Sequence, residues 1–327
     1  MHQLGVILGV VAIGGGLLVY ALLFLRNGRE YREALNEVYV RDPDDLGVPP
    51  AVAGYVNRFY ELRGDDLAAT AMDLVARGVV DLDDDPAYRV SRSLLSLRRE
   101  RAAGLWPHEL AALALLLAPC GRLCPLATLD VLRRTNWRDR QVYDERIGEF
   151  GRCVIEEVDD LGLAIEPYGF RAAVKVSVVA LAMVLVGFAA SGLTGTWVFE
   201  VAAMVLAGAA FVFDRVMYRR SQPGRILQVR CGHLRRYWHD FGHLGEKHLD
   251  EVALWGRHLA FAVALGDATL ARRELHDDYE RLGRLAESLM IDDQELYLAH
   301  DNVGDGRIAE WLRTLGLPER ALIGMGR

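Results

Sequence analysis

Three apolar stretches, each with arginine and lysine gathered at one end only, limit this chain to a small set of folds. Leu4 to Leu25 carries no charge, and Val176 to Leu193 and Thr196 to Phe213 follow later with Glu200 as their one charged residue. Each is close to the ~20 residues a helix needs to cross ~30 Å of hydrocarbon. The basic residues Arg26, Arg29, Arg32, Arg171, Lys175, Arg215, Arg219, Arg220 and Arg225 flank these stretches, whereas the turn Ser191 to Thr196 has none. Basic residues stay on the cytoplasmic side of a bilayer. That rule places Met1 outside, residues 26–171 inside, the Ser191 to Thr196 turn outside and residues 214–327 inside. The basic residues follow the first apolar run instead of preceding it, so the run reads as an uncleaved anchor in a multi-pass protein of the inner or plasma membrane.

The expectation is a mainly α membrane protein with three transmembrane helices and cytoplasmic helical modules, the first winged-helix-like with a small β-hairpin. Its parts are a first span (1–25), a juxtamembrane segment and linker (26–50), a winged-helix-like domain (51–171), a transmembrane hairpin (172–215) and a second helical domain (216–327). At 327 residues and 52% hydrophobic, the chain can spare three spans and still bury a core. Whether the two polar regions fold as one body is open. Arg26, Arg29, Arg32, Lys175, Arg215, Arg219 and Arg220 are expected at lipid headgroups.

Gly5, Gly9, Ala12 and Gly16 shave one face of the first span to backbone, and Gly187 and Ser191 do the same for the second, so neighbouring helices can approach closely there. Glu200 lies near the outer end of the third span. It either reaches the interface or has a buried functional partner.

Along the polar regions, residues 36–50 carry Asp42, Pro43, Asp44, Asp45, Pro49 and Pro50 and read as a linker. Val52, Tyr55, Val56 and Phe59 form one helical stripe, and Leu67, Ala71, Leu74 and Val75 another, with Gly64 or Asp65 as N-cap and Gly78 as its stop. The period then becomes two. Val80 and Leu82, an Asp83 to Pro86 turn, and Tyr88 and Val90 give a hairpin. Pro107 and Pro125 open further helices, and Ile147, Phe150, Val154, Val158 and Leu161 stripe a longer one ending near Gly162. Beyond the third span, Leu227, Cys231, Leu234, Trp238 and Phe241 share a face, Leu249 to Leu265 forms a helix stopped by Gly266, and Ile308, Trp311, Leu312 and Leu315 mark a last one.

The stretch His233 to Ala268, with Leu254, Trp255, Leu259, Ala262, Ala264, Leu265 and Gly266, resembles the signature of a bacterial family of predicted membrane proteins, domain of unknown function 2207. The run from Pro49-Pro50-Ala51 through Leu67-Ala68 to Leu74-Val75-Ala76-Arg77-Gly78 is similar to that family's helical segment ending in Arg-Gly before a strand. The resemblance spans about residues 48–268. It implies a two-span hairpin between polar regions and a LemA-type membrane protein as partner, and no catalytic residues. Typical members also carry a β-rich domain ahead of the first span, which is not expected here.

Few motifs point to chemistry. His239 and His243 have the i, i+4 spacing of zinc ligands, with His233 and His248 nearby, but Asp240 stands where an HExxH base belongs. Cys120 and Cys124 have no second pair, and with Cys153 and Cys231 they are expected as reduced thiols. Asp301 to Gly306 puts Val303 and Leu312 where a calcium loop needs oxygens. No phosphate-binding loop or nucleophile elbow occurs, so no metal, cofactor or catalytic set is expected. Asp81, Asp83, Asp84 and Asp85 on the wing oppose a nucleic acid. Arg89, Arg92, Arg98, Arg99 and Arg101 are expected to face anionic lipid or an acidic partner. The leading expectation is a non-enzymatic membrane-anchored scaffold that binds a protein partner or a second copy of itself. The alternatives are a subunit of a membrane enzyme or transporter complex and a membrane-tethered DNA-binding regulator.

Overall fold

The computed structural model describes residues 2–23, 25, 30–31, 36–84, 93–117, 127–128, 140–166, 170–214, 218–241, 252–267, 313–315 and 317. The described chain is mainly helical and divides into two units, residues 1–32 with 164–225 and residues 33–163 with 226–327. The polar regions on either side of the apolar hairpin therefore belong to one unit.

The first unit holds α1 (His2–Leu23), α6 (Phe170–Thr194) and α7 (Val198–Asp214). Glycines set how closely these helices pack. A Cβ on Gly5 would meet Thr194 Cγ2 at 2.7 Å, one on Gly9 would enter the Phe199 ring, and one on Gly16 would collide with Met183. Because Gly5 faces residue 194 and Gly16 faces residue 183, α1 and α6 run antiparallel. A Cβ on Gly187 would lie 2.6 Å from that of Ala203, joining α6 to α7 in the same way. Ala12 is helical, and its side chain lies outside the description. Among the described residues only α1, through Gly5–Leu22, is both long and apolar enough to cross a membrane; the apolar part of α6, Val178–Thr194, is shorter.

Two short strands, β4 (Ile165–Glu166) and β5 (Arg219–Arg220), pair antiparallel and join the chain entering α6 to the chain leaving α7.

The second unit begins with a 3-10 turn, Pro43–Leu46, capped by Asp42, whose side chain accepts from Asp44 N. Then come α2 (Pro50–Asn57), α3 (Gly64–Ala76), β1 (Val80–Asp84), β2 (Ser93–Leu97), α4 (Pro107–Leu117), β3 (Ala127–Thr128) and α5 (Arg140–Asp160), followed after the apolar hairpin by α8 (Gln222–Phe241) and α9 (Val252–Ala264). The main packing partners are α3 with α9, α4 with α5, and α2 with both α3 and α9. Leu67, Met72, Leu74, Leu110, Leu113, Phe150 and Phe261 are sealed from water. Each fully buried side chain of this size contributes about 1.5–3 kcal/mol of burial free energy.

Gly78 and Gly266 end α3 and α9 in the left-handed region, at φ 64° and 83°, which a side chain would disfavour. The Val79 and Asp267 amides then donate back to Leu74 O at 2.9 Å and Ala262 O at 2.8 Å. A Cβ on Gly78 would in addition strike Arg101.

Four expectations change. The hairpin exists, but β1 pairs with Ser93–Leu97, Val80 opposite Leu97, while Tyr88 and Val90 lie outside the described residues. Phe59 does not extend the α2 stripe, because the helix ends at Asn57 and Phe59 and Tyr60 are both left-handed, at φ 61° and 65°. The N-cap of α3 is Arg63, whose amide donates to Asp66 Oδ2 at 2.9 Å. Residues 127–128, expected in a helix opened by Pro125, form β3 on the edge of a three-stranded sheet. A strand partner outweighed local propensity there.

Candidate functional site

Two features stand out, one in each unit. In the first, large aliphatic side chains point away from the three helices. Ile7, Val11 and Leu18 on α1 are 64%, 66% and 61% exposed, Leu181 and Leu185 on α6 61% and 60%, and Val205 on α7 64%. Trp197, in the turn between α6 and α7, is 71% exposed. Water-facing helices carry polar residues outward, so an apolar exterior this continuous is an interaction surface. At that turn Ser191 Oγ accepts from Glu200 N at 3.2 Å. Glu200 stands in the first turn of α7, where the helix dipole favours a negative charge.

The opposite end of this unit is ionic. Arg219 donates to Glu166 at 2.8 Å and to Tyr31 Oη at 2.7 Å, its guanidinium 4.3 Å from the Tyr31 ring centroid. Arg220 pairs with Glu30, and Arg225 reaches the same carboxylate at 2.8 Å. Arg219 and Arg220, expected at headgroups, thus spend their charges on carboxylates of their own unit, and Arg220 is buried. Lys175 is helical with its side chain outside the description, and Arg26, Arg29, Arg32 and Arg215 lie outside the described residues.

The second unit buries an ionic cluster that sequence reading missed. Asp66, Thr70, Asp73 and Arg77 recur at i, i+4, i+7 and i+11 on α3 and look like a solvated face. Instead Asp66 and Asp73 are at most 1% exposed. Arg58, at the end of α2, clamps Asp66 and donates to Ala264 O at the end of α9. Gly54 makes room: a Cβ there would lie 2.6 Å from both Ala264 O and Asp66 Oδ1. Arg257 of α9 donates to Asp73 at 2.8 Å and also reaches Asp44. Arg77 donates to Glu109 at 2.6 Å, Glu109 accepts from Trp106 N at 2.9 Å, and His108 Nδ1 lies 2.6 Å from Glu157.

Burial pushes Asp66 up to about 6 against the pull of Arg58, and Asp73 up to about 7 against that of Arg77. For His108 burial favours the neutral ring, but the Glu157 carboxylate outweighs it and the imidazole holds its proton above its ordinary range. The signal for this cluster was α3 itself: Leu67, Ala68, Ala69, Ala71, Met72 and Leu74 leave hardly any polar face, and a helix apolar nearly all round is buried.

The remaining candidates are dispersed. His239 is exposed beside Asp240, at 3.5 Å, His233 is half-buried, and His243 and His248 lie outside the described residues. Among the described residues no group of three or more His, Cys, Asp or Glu is arranged to hold a metal. Burial raises the Cys153 thiol and pushes the Cys231 thiol up to about 12, so neither is a ready nucleophile. Cys120, Cys124 and residues 301–306 lie outside the described residues. Of the signature on α9, Leu259 and Leu265 are buried, Gly266 forms the stop, and the side chains of Leu254 and Trp255 lie outside the description.

An apolar helix with an aliphatic exterior, in a chain that also holds a mainly helical unit with its own buried core, is the make-up of a membrane-associated protein. The chain belongs to the family described as Predicted membrane protein (DUF2207) C-terminal domain, whose model matches residues 36–275. No curated protein and no solved structure matches it.

Proposed function

We propose that this protein is a membrane-anchored scaffold: α1, α6 and α7 cross the bilayer, and the unit built from 33–163 and 226–327 presents a protein-binding surface on the cytoplasmic side. The observation that carries this reading is the aliphatic exterior of all three helices, set against glycines turned inward. That arrangement inverts a water-soluble bundle and suits lipid, where small residues let helices approach. Gly5, Gly9, Gly16 and Gly187 are the packing positions. Trp197, at the basic-free end, suits the interfacial belt of aromatic residues. Membership of a predicted membrane protein family supports the same placement.

The basic residues around the opposite ends favour the orientation with both polar segments inside. The order of two helices, a hairpin and a further helix in 50–117 is the basis for the winged-helix-like reading. A LemA-type membrane protein is the partner that the family resemblance implies, with a second copy of this chain as the other occupant of the binding surface. The test is crosslinking in native membranes followed by mass spectrometry. Crosslinks from the polar unit to another polypeptide, or to a second copy, support the scaffold; crosslinks confined to one chain refute it.

A further inference from the structure

Among the described residues of the second unit, only Val38, Phe59 and Leu161 are large apolar side chains exposed to solvent. Phe59 and Leu161 stand at one place. Tyr60 joins them: its ring lies 5.8 Å from that of Phe59, and its hydroxyl donates to Leu163 O at 2.5 Å, two residues beyond Leu161. Leu62 packs on the same helix, since a Cβ on Gly151 of α5 would lie 2.7 Å from Leu62 Cδ2.

The backbone holds Phe59 there under strain. Phe59 and Tyr60 follow one another in the left-handed region, at φ 61° and 65°, while Phe59 N donates to Val56 O at 3.3 Å and Tyr60 N to Tyr55 O at 2.8 Å. This turn closes α2, and glycine takes such a place without strain, as Gly78 and Gly266 do after α3 and α9. Here the strain presents a ring that stays 40% exposed. An aromatic side chain held rigidly at a surface is what interfaces use as an anchor.

The surrounding charge selects the partner. Asp159 and Asp160 are exposed at the end of α5, whose last turn has no basic residue, so both carboxylates meet the negative end of the helix dipole. Asp159 belongs to the same aromatic group: burial first, and then the Asp159 charge, push the Tyr55 hydroxyl up to about 12, and the Tyr55 ring meets that of Tyr60 edge-on at 5.6 Å. Nearby arginines are already paired, Arg58 with Asp66, Arg63 with Glu61, and Arg152 with both Glu149 and Glu156. The edge therefore keeps an excess of carboxylate, which repels anionic lipid and attracts basic side chains.

We propose that Phe59 and Leu161 are the docking point for a polypeptide segment that carries apolar side chains between lysines or arginines. The inference rests on the scaffold reading above and gives its binding surface a place and a partner class. The apolar side chains pack on Phe59 and Leu161, and the cations answer Asp159 and Asp160.

The test uses the full chain in phosphatidylcholine nanodiscs and a fluorescent peptide with two leucines flanked by lysines, compared with the same peptide carrying glutamate for lysine. Fluorescence anisotropy should show the lysine peptide binding about tenfold more tightly than the glutamate peptide, and less tightly as salt is raised. Phe59→Gly, which exchanges the burial of the ring for relief of the strain, should melt within about 4 °C of wild type. It should bind the lysine peptide about tenfold more weakly. Asp159→Asn combined with Asp160→Asn should weaken that peptide about threefold. Equal binding of the two peptides, or undiminished binding by Phe59→Gly, would overturn the proposal. So would a Phe59→Gly chain that melts far lower, since the ring would then be part of the core. Quenching by brominated lipid of an environment-sensitive fluorescent residue placed at position 59 would give this face to the bilayer and overturn it as well. Native-membrane crosslinks to another polypeptide that persist in Phe59→Gly would remove this site and leave the scaffold standing. A peptide that behaves as expected on a chain without such crosslinks would keep the site and remove the scaffold.

Discussion

Gly256 on α9 and Ala76 on α3 meet so closely that a Cβ on the glycine would lie 2.9 Å from that of the alanine. Residues on either side of the apolar hairpin in sequence thus form one helix pair. Gly256→Val should force α9 away from α3 and cost about 1–3 kcal/mol, as overpacking does. Hydrogen exchange of α9 measures it; unchanged protection would contradict the contact.

Gly15 and Gly16 on α1 differ although they are adjacent. Nothing lies within 4 Å of a Cβ on Gly15, whereas one on Gly16 collides with Met183. Gly15→Leu should leave bundle stability nearly unchanged, while Gly16→Leu lowers the melting temperature in detergent. Equal effects from the two would show that α1 does not pack by this face.

Leu67 is sealed at the centre of the second unit, 0% exposed. Leu67→Ala should lower stability by about 2–5 kcal/mol, from lost transfer energy and the cavity left behind. Denaturant titration in detergent, read by the buried Trp238, gives the value; a loss under 1 kcal/mol, well below that range, would mean the site can collapse.

Asp66 sets a pH dependence. Its carboxyl is raised from 3.8 to about 6 in the fold, so the folded chain binds the extra proton. Its contribution is fully present below about pH 4 and is lost as pH rises through about 6. Asp66→Asn should flatten that part of the stability profile. Arg58→Ala, which strands a buried carboxylate and frees Ala264 O, should destabilise by roughly 3–5 kcal/mol.

What could be read from the sequence followed from local chemistry. Gly78 and Gly266 announced helix stops because only glycine takes a left-handed turn without strain, and the stripe Leu227, Cys231, Leu234 and Trp238 announced the buried face of α8. The strand Ser93–Leu97 was not foreseen because it reads as an apolar run with no clean alternation; its partner β1 decides its register. The burial of α3 was signalled by its own apolar residues, but the pairing within the ionic cluster was not, because its members come from six elements. Asp66 and Asp73 look like solvent-facing charges until Arg58 and Arg257 arrive from α2 and α9. Glu109 and His108 open α4 as first-turn residues do, and nothing local says that Arg77 and Glu157 meet them. The apolar exterior of α1, α6 and α7 was written in the hydropathy, whereas the pairing of Arg219 with Glu166 and of Arg220 with Glu30 was not.

The most direct test is the accessibility of single sites in intact cells. A cysteine at Thr196, in the turn between α6 and α7, should react with a membrane-impermeant maleimide, and a cysteine added after Arg327 should react only once the membrane is opened. Labelling of the carboxyl-terminal cysteine in sealed cells, or release of the chain from membranes by alkaline carbonate, would contradict three crossings with both polar segments on the inner side.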